Sequence, residues 1–309
     1  MTAQEMTAYK AADARGLEQD PEQDKREKAV LAELRKKPLL ALPTFGLLII
    51  TQIMIVAVWI ACLNGHLALW AGCVINIIAY YVQFTPAHDA SHNAVSRISW
   101  VNKWVFFQMM QTYLPGNSGK MLMVMHMQHH RFANEELDPD HGVAGSFKHA
   151  AFLWFFWDFR YLFFYFKHKE YYPDLNIKRI FFEMAMGYAI IGTVAWFFPL
   201  ETLILWFIPS RGMVWLVCFV FMYLPHVPHV YTHRENPYQA TLMREGWDKI
   251  MSVLMMYQNY HLAHHLYPTI PFYRYKKAWD ARKEFHEAHN PAKVKPFALH
   301  PYNLQVKSG

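Results

Sequence analysis

Cysteine is scarce in this chain of 309 residues. Its three copies, Cys62, Cys73 and Cys218, all lie in apolar runs. That leaves no disulfide framework and no paired zinc-ribbon spacing, and all three read as packing residues. Other signatures are missing as well. There is no Glu-x-x-His, which excludes the carboxylate-rich di-iron site of soluble helix bundles. The absence of His-Glu-x-x-His excludes the common zinc metalloprotease. Without Gly-x-Gly-x-x-Gly or Cys-x-x-Cys-His there is no built-in dinucleotide fold and no attached haem. The opening ~38 residues mix both charges without an apolar core, so they are not a secretory signal. Their first ~25 are expected to be poorly ordered. Charged residues make up only 17% of the chain, with a net charge of +6. The basic ones flank apolar runs, so nucleic acid is not the expected partner.

Histidine is abundant instead. Two copies of one pattern stand far apart, His126-x-x-His129-His130 and His261-x-x-His264-His265, and His88-x-x-x-His92 precedes them. Random placement of 18 histidines gives roughly 0.06 expected copies of His-x-x-His-His, so composition does not account for two. Positions i, i+3 and i+4 share one helix face, so all three histidines of each pattern are expected to reach one point.

Four apolar stretches follow the rule that a hydrocarbon core of about 30 Å needs about 20 residues. They are Leu39 to Leu63, Leu67 to Ala87, Ile180 to Leu200 with Glu183 as its only charge, and Trp206 to Leu224, interrupted by Pro209-Ser210-Arg211. Arg211 is expected to mark an outer end of the fourth. Lys25, Arg26, Lys28, Arg35, Lys36 and Lys37 precede the first span, and the Asn64-Gly65-His66 turn after it has no Lys or Arg. Positive charge stays inside, so both termini and all three histidine clusters are expected on the cytoplasmic side of an inner or plasma membrane.

The expected fold is an all-α integral membrane protein. Four transmembrane helices carry a cytoplasmic helical cap with a histidine-rich di-metal site. Residues 1–38 form a partly disordered cytoplasmic segment, 39–285 the membrane domain with its cap, and 286–309 a tail. Trp100 to Leu114 is too short and polar to span and reads as an interfacial or re-entrant helix. Pro115-Gly116-Asn117 then turns the chain. The aromatic run from Phe152 to Phe166 suits a headgroup belt. The methionines and aromatics from Met109 to Met125 either line a tunnel for an aliphatic substrate or simply pack.

Imidazole suits iron, zinc, copper and nickel, and eight clustered copies exceed the four ligands of one structural zinc, so two metals are the natural count. A histidine-rich transporter or sensor is the non-enzyme alternative. It would place its ligands inside the spans rather than at their ends.

The three boxes, in this order around paired spans, resemble the membrane fatty-acid desaturase and hydroxylase superfamily over roughly residues 40 to 285. Within it, HDASHNA from His88, DPDH from Asp138, LPHVPH from Leu224 and NYHLAHHLYPTIPFY from Asn259 are similar to two branches. One holds carotenoid ring hydroxylases and ketolases, and the other bacterial acyl-chain desaturases. The resemblance implies two iron ions that activate O2, with the eight box histidines as ligands. It also implies a ninth ligand between boxes two and three, for which His226 is the choice and His229 and His233 compete. Some members hold a water on an Asn four residues before such a histidine. Met222 stands there in this chain.

Asp89, Asp138, Asp140 and Asn259 are candidates to hold the far nitrogen of a ligating histidine. His141 is a candidate for either role. The expected activity is O2-dependent oxidation of a lipid hydrocarbon, of the fatty acid desaturase or hydroxylase type. Carotenoid ring hydroxylation or ketolation, and conversion of fatty acids to terminal alkenes, are the alternatives. The basic stretch Lys276, Lys277, Arg282 and Lys283 suits an acidic electron carrier or anionic lipid equally. Electrons must come from a separate donor, ferredoxin or a small cytochrome with its reductase. The purified chain is therefore expected to show no O2 consumption with NAD(P)H alone. Turnover in that mixture would remove the need for a donor.

Overall fold

The structure is a computed structural model that describes residues 20–114, 117–144, 152–173 and 175–304. Pro115 and Gly116 of the expected turn lie outside the described residues. The fold is helical apart from one two-residue parallel strand pair, Met243–Arg244 with Lys293–Val294. The principal helices are α1 (Pro21–Arg35), α2 (Leu42–Leu63), α3 (Leu69–Ser91), α4 (Ser99–Tyr113), α5 (Gly119–Phe132), α6 (Trp157–Lys167), α7 (Ile177–Phe197) and α8 (Pro199–Tyr223). Shorter helices follow: α9 (Asp248–Leu254), α10 (His261–Leu266), α11 (Tyr275–Asp280) and α12 (Lys283–Ala288).

Among the described residues, α2, α7 and α8 are long and apolar enough to cross a membrane. Four such helices were expected. The expected second span forms α3, at 23 residues long enough, but its later turns carry Asn76, Gln83, Thr85, His88 and Asp89. These side chains are all buried in the protein. The third and fourth expected spans begin earlier than read, at Ile177 and Pro199, because Asn176 caps one and Pro199 starts the other.

A glycine turn sets the first helix pair. Gly65 adopts φ +74° just past α2, and the amides of Gly65 and His66 return to the carbonyls of Cys62 and Ala61. α3 then runs back against α2. At Gly72 the helices meet so closely that an added Cβ would stand 2.6 Å from Cys62 Sγ and 2.8 Å from Leu205 Cδ2. α8 makes wide π turns at Leu203–Phe207 and Cys218–Tyr223. In the first of these, Asn76 Nδ2 donates to the Leu205 carbonyl at 2.7 Å.

Arg211 does not mark the end of a span. α8 passes through Pro209-Ser210-Arg211 unbroken, and Arg211 is buried midway along it against Asp158. The lone charge of the third run is also paired: Glu183 accepts from Arg179 Nε at 2.8 Å and from Ser118 Oγ at 2.6 Å.

α4 packs along α3 and ends deep against the long helices. There Trp206 Nε1 donates to the Thr112 carbonyl at 3.0 Å, Ser210 Oγ to the Tyr113 carbonyl at 2.6 Å, and Gln52 Nε2 to Thr112 Oγ1 at 2.9 Å. Asn102, one of the polar residues that interrupted this run, is a turn device. It accepts from the amides of Val95 and Ser96 and donates to the Ser96 carbonyl.

The described residues nearest each end of the chain are docked. α1 begins within the stretch expected to lack order, with Asp20 as its N-cap. Its Leu31 is buried against α11, and its Asp24 accepts from Arg282 Nη2 at 2.6 Å. The described residues 286–304 pack against the rest of the protein. His286 is fully buried between Tyr238 and Tyr267, and Lys293–Val294 pairs with the strand before α9. Of the basic stretch expected to suit an acidic carrier or anionic lipid, Arg282 is paired with Asp24 and Lys276 with Asp280.

Gly72→Leu is expected to destabilise the protein by about 1–3 kcal/mol through overpacking, read as a lower unfolding midpoint in detergent. An unchanged midpoint would mean that the three helices do not meet there.

Candidate metal centre

Each histidine pattern divides between two points. His88, His92, His126, His130 and His264 offer nitrogens within 4.8 Å of one another, and His129, His226, His261 and His265 form a second such group. The expectation that each triplet shares one point is therefore corrected. Helical i, i+4 pairs do share a point, as in His126 with His130 and His261 with His265. The middle histidine of each triplet is turned about 100° from its sequence neighbour and reaches the other point.

Three elements deliver the boxes. His88 and His92 close α3, and α5 carries the second box in its last turns. Ser118 caps α5 by accepting from the Met121 amide at 3.2 Å. α10, with the third box, has six residues and is too short to hold itself. It is held by a core of Leu31, Tyr260, Leu262, Ala263, Tyr275 and Trp279.

The ring nitrogens turn inward. Nε2 atoms face each other at 2.7 Å for His92 with His126 and 2.9 Å for His130 with His264. In the second group His261 Nε2 faces His226 at 2.9 Å and His265 at 3.0 Å. His261 donates from Nδ1 to Gln258 Oε1 at 2.6 Å, which leaves its Nε2 as a lone pair pointed at two others. Burial, then neighbouring imidazoles, hold His130, His226, His264 and His265 well below the ordinary histidine range. Burial, with His129 and His88, does the same for His261. Five nitrogens at one point and four at the other, from buried imidazoles that are mostly held neutral, form a donor set that suits a borderline divalent cation. The residues present therefore fit two metal ions.

His129 differs from the rest. It donates from Nδ1 to Asp138 Oδ1 at 2.9 Å, with Asp140 Oδ2 at 3.7 Å. Burial opposes its protonation, but the two carboxylates outweigh burial and push it up to about 9. Burial raises Asp140 to about 6 against the pull of His129, and Asp140 accepts from Tyr161 OH at 2.7 Å.

The other expected supports sit elsewhere. Asp89 accepts from Thr44 Oγ1 at 2.8 Å and from the Phe272 amide, so it ties α2 and the chain after box three to α3. Asn259 accepts from Ser252 Oγ at 3.3 Å, and the neighbouring Gln258 is the side chain that meets a box histidine. Sequence reasoning missed Gln258. Its place three residues before His261 was the available signal. His229 donates to Asn134 Oδ1, and His233 lies at the edge, its ring 6.4 Å from that of His265. His141 is exposed and is not part of either group.

A slender apolar cavity of about 80 Å³ reaches His88 and His126. Phe84, Phe106, Met110, Leu122, Val217 and Met222 are among its walls, and Asp158 is its carboxylate. Met110 thus lines a cavity as one expectation had it, while Met109 and Met125 are packed in the core.

The fatty acid desaturase family model matches residues 64–296, which takes in all three boxes and His226. The chain belongs to the fatty acid desaturase family. Two curated relatives are β-carotene ketolases of Paracoccus. The protein from strain N81106 / MBIC 01143 is 29% identical over 235 residues, 71% of this chain and 87% of the relative. That from strain PC1 is 28% identical over 202 residues, 62% of this chain and 71% of the relative. No solved structure matches. Membership and relatives together make this desaturase-family protein an oxidoreductase.

Asp138→Asn is expected to lower metal affinity by roughly 10- to 100-fold, because it loosens His129. His264→Ala is expected to lose bound metal and activity. Metal analysis of the purified protein checks both, and a full metal complement in His264→Ala would remove it from the ligand set.

Proposed function

We propose that the protein is an integral membrane di-iron oxidoreductase that uses O2 to oxidise a C–H bond of a lipid hydrocarbon. The observation that carries this reading is a pair of inward-facing histidine groups, the first of which meets an apolar cavity at His88 and His126. His88, His92, His126, His130 and His264 would hold one iron, and His129, His226, His261 and His265 the other. Two irons bound there supply O2 activation strong enough to attack an unactivated C–H bond.

The remaining work falls to the chain. Asp138 and Gln258 fix the tautomers of His129 and His261. Apolar walls exclude water and hold the hydrocarbon against His88 and His126. Electrons would come from an external ferredoxin or small cytochrome with its reductase. In this reading α2, α3, α7 and α8 span the bilayer. Both termini and the capping elements face the cytoplasm, where the Lys and Arg before α2 place them. α4 and α5 would form a re-entrant pair, because the carbonyls at the deep end of α4 are met by Trp206 and Ser210 rather than by lipid.

A fatty acyl chain is the first choice of substrate, because the cavity that reaches His88 and His126 is lined mostly by apolar side chains. Oxygenation of a carotenoid ring is the second reading, favoured by the two ketolase relatives. Expression in a host that makes both lipid classes decides between them, with His264→Ala as control. The expected outcome is a shifted acyl profile with unchanged carotenoids. Oxygenated carotenoids with unchanged acyl chains would establish the second reading, and metal uptake without O2 consumption would defeat both.

A further inference from the structure

Asp158 and Arg211 form a charged pair that the proposed reaction does not use. Arg211 donates from Nη1 to Asp158 Oδ1 at 2.8 Å and from Nη2 to Oδ2 at 3.1 Å. Asn117 Nδ2 donates to the same Oδ2 at 2.8 Å. The guanidinium also reaches the Phe155 carbonyl and Ser210 Oγ. The rings of Phe156, Phe159 and Phe207 surround it at 5.4 to 6.0 Å. A buried ion pair is seldom more stabilising than apolar residues of the same volume. On an apolar span such charges point to function.

Position supplies the function. Asp158 belongs to the wall of the cavity that reaches His88 and His126. Along α8 that wall runs from Met213 through Val217 to Met222, a rise of roughly 13 Å. The Met222 end leads to His226. Arg211 lies just beyond Met213, at the opposite end. Leu114, which follows α4, joins the lining there.

We propose that the Asp158–Arg211 pair is the end wall of the substrate cavity and sets which carbon of a hydrocarbon chain faces the histidine groups. The member of the pair that lines the cavity is the carboxylate, held by Arg211 and Asn117, and it offers an anionic head group no donor to bind. A methyl end cannot part the pair, because separation would leave two uncompensated charges in apolar surroundings. A chain that enters methyl-first stops at this wall, and the carbon oxidised is counted from its methyl end. The proposal rests on the reading of the cavity as the seat of a hydrocarbon substrate.

The test uses the full-length protein in detergent and a ladder of saturated fatty acids of increasing length. In the parent, the ligand-induced rise in unfolding midpoint is expected to grow with chain length and then level off. The paired replacement Asp158→Leu with Arg211→Met removes both charges at similar volume and should move that ceiling to longer chains by at least one step. Leu114→Phe adds bulk at the same end without touching the pair, and should lower the ceiling. It remains informative if the paired variant does not fold.

Product analysis in the expressing host should place oxidation at a constant distance from the methyl end in the parent, and at scattered positions in the paired variant. An unchanged ceiling in the folded paired variant or in Leu114→Phe would overturn the proposal. So would oxidation counted from the carboxyl end. If fatty acids bind with the expected ceilings yet are not oxidised, the functional reading fails while the end wall stands.

Discussion

Nine imidazoles, drawn from three helices and one loop, turn their nitrogens toward two shared points in the protein interior. The contacts between facing nitrogens run from 2.7 to 3.0 Å, and burial keeps most of the rings neutral. Buried nitrogens that converge in this way are a donor set for cations. The ends of α3, α5 and α10 therefore depend on what meets those nitrogens. The rest of the structure can be read as the means of bringing these helix ends together.

Those means are buried polar contacts between elements distant in sequence. Asp89 stands beside His88 and binds Thr44 of α2 and the Phe272 amide, which joins the first and third boxes across more than half the chain. Asn134 donates to the Tyr231 and Ala240 carbonyls and accepts from His229, so it ties the chain after box two to the stretch that carries His226. Box three sits on a helix of six residues whose stability is borrowed from α1 and α11. Loss of any of these ties would separate ligands that no local structure holds in place.

Beneath the histidines the apolar helices leave a narrow slot and close it with a charged pair. A site of this form confines a long thin molecule with one end near the histidines. The family match spans the boxes, the slot-lining turns of α8 and His226.

The box residues, their helical spacing and the family were legible in the sequence, because i, i+4 geometry and apolar run length are local properties. His226 came from the resemblance, as the choice among three with His229 and His233, and it is the one of the three that the structure groups with box histidines. How each triplet divides was not legible. Whether a middle histidine serves its own pattern or the other depends on the angle at which α5 faces α10, which the sequence of neither helix contains. The same holds for Gln258 in place of Asn259, for the fully buried His286, and for Arg211 in the middle of a helix rather than at its end. Each is decided by a partner far along the chain: His261 across one turn, Tyr238 and Tyr267 around His286, Asp158 opposite Arg211. The sequence by itself determined the histidine boxes, their helical spacing and the family. Only the tertiary structure decided how they are grouped and where the cavity ends, because grouping and closure are set by long-range side-chain pairs that local periodicity does not encode.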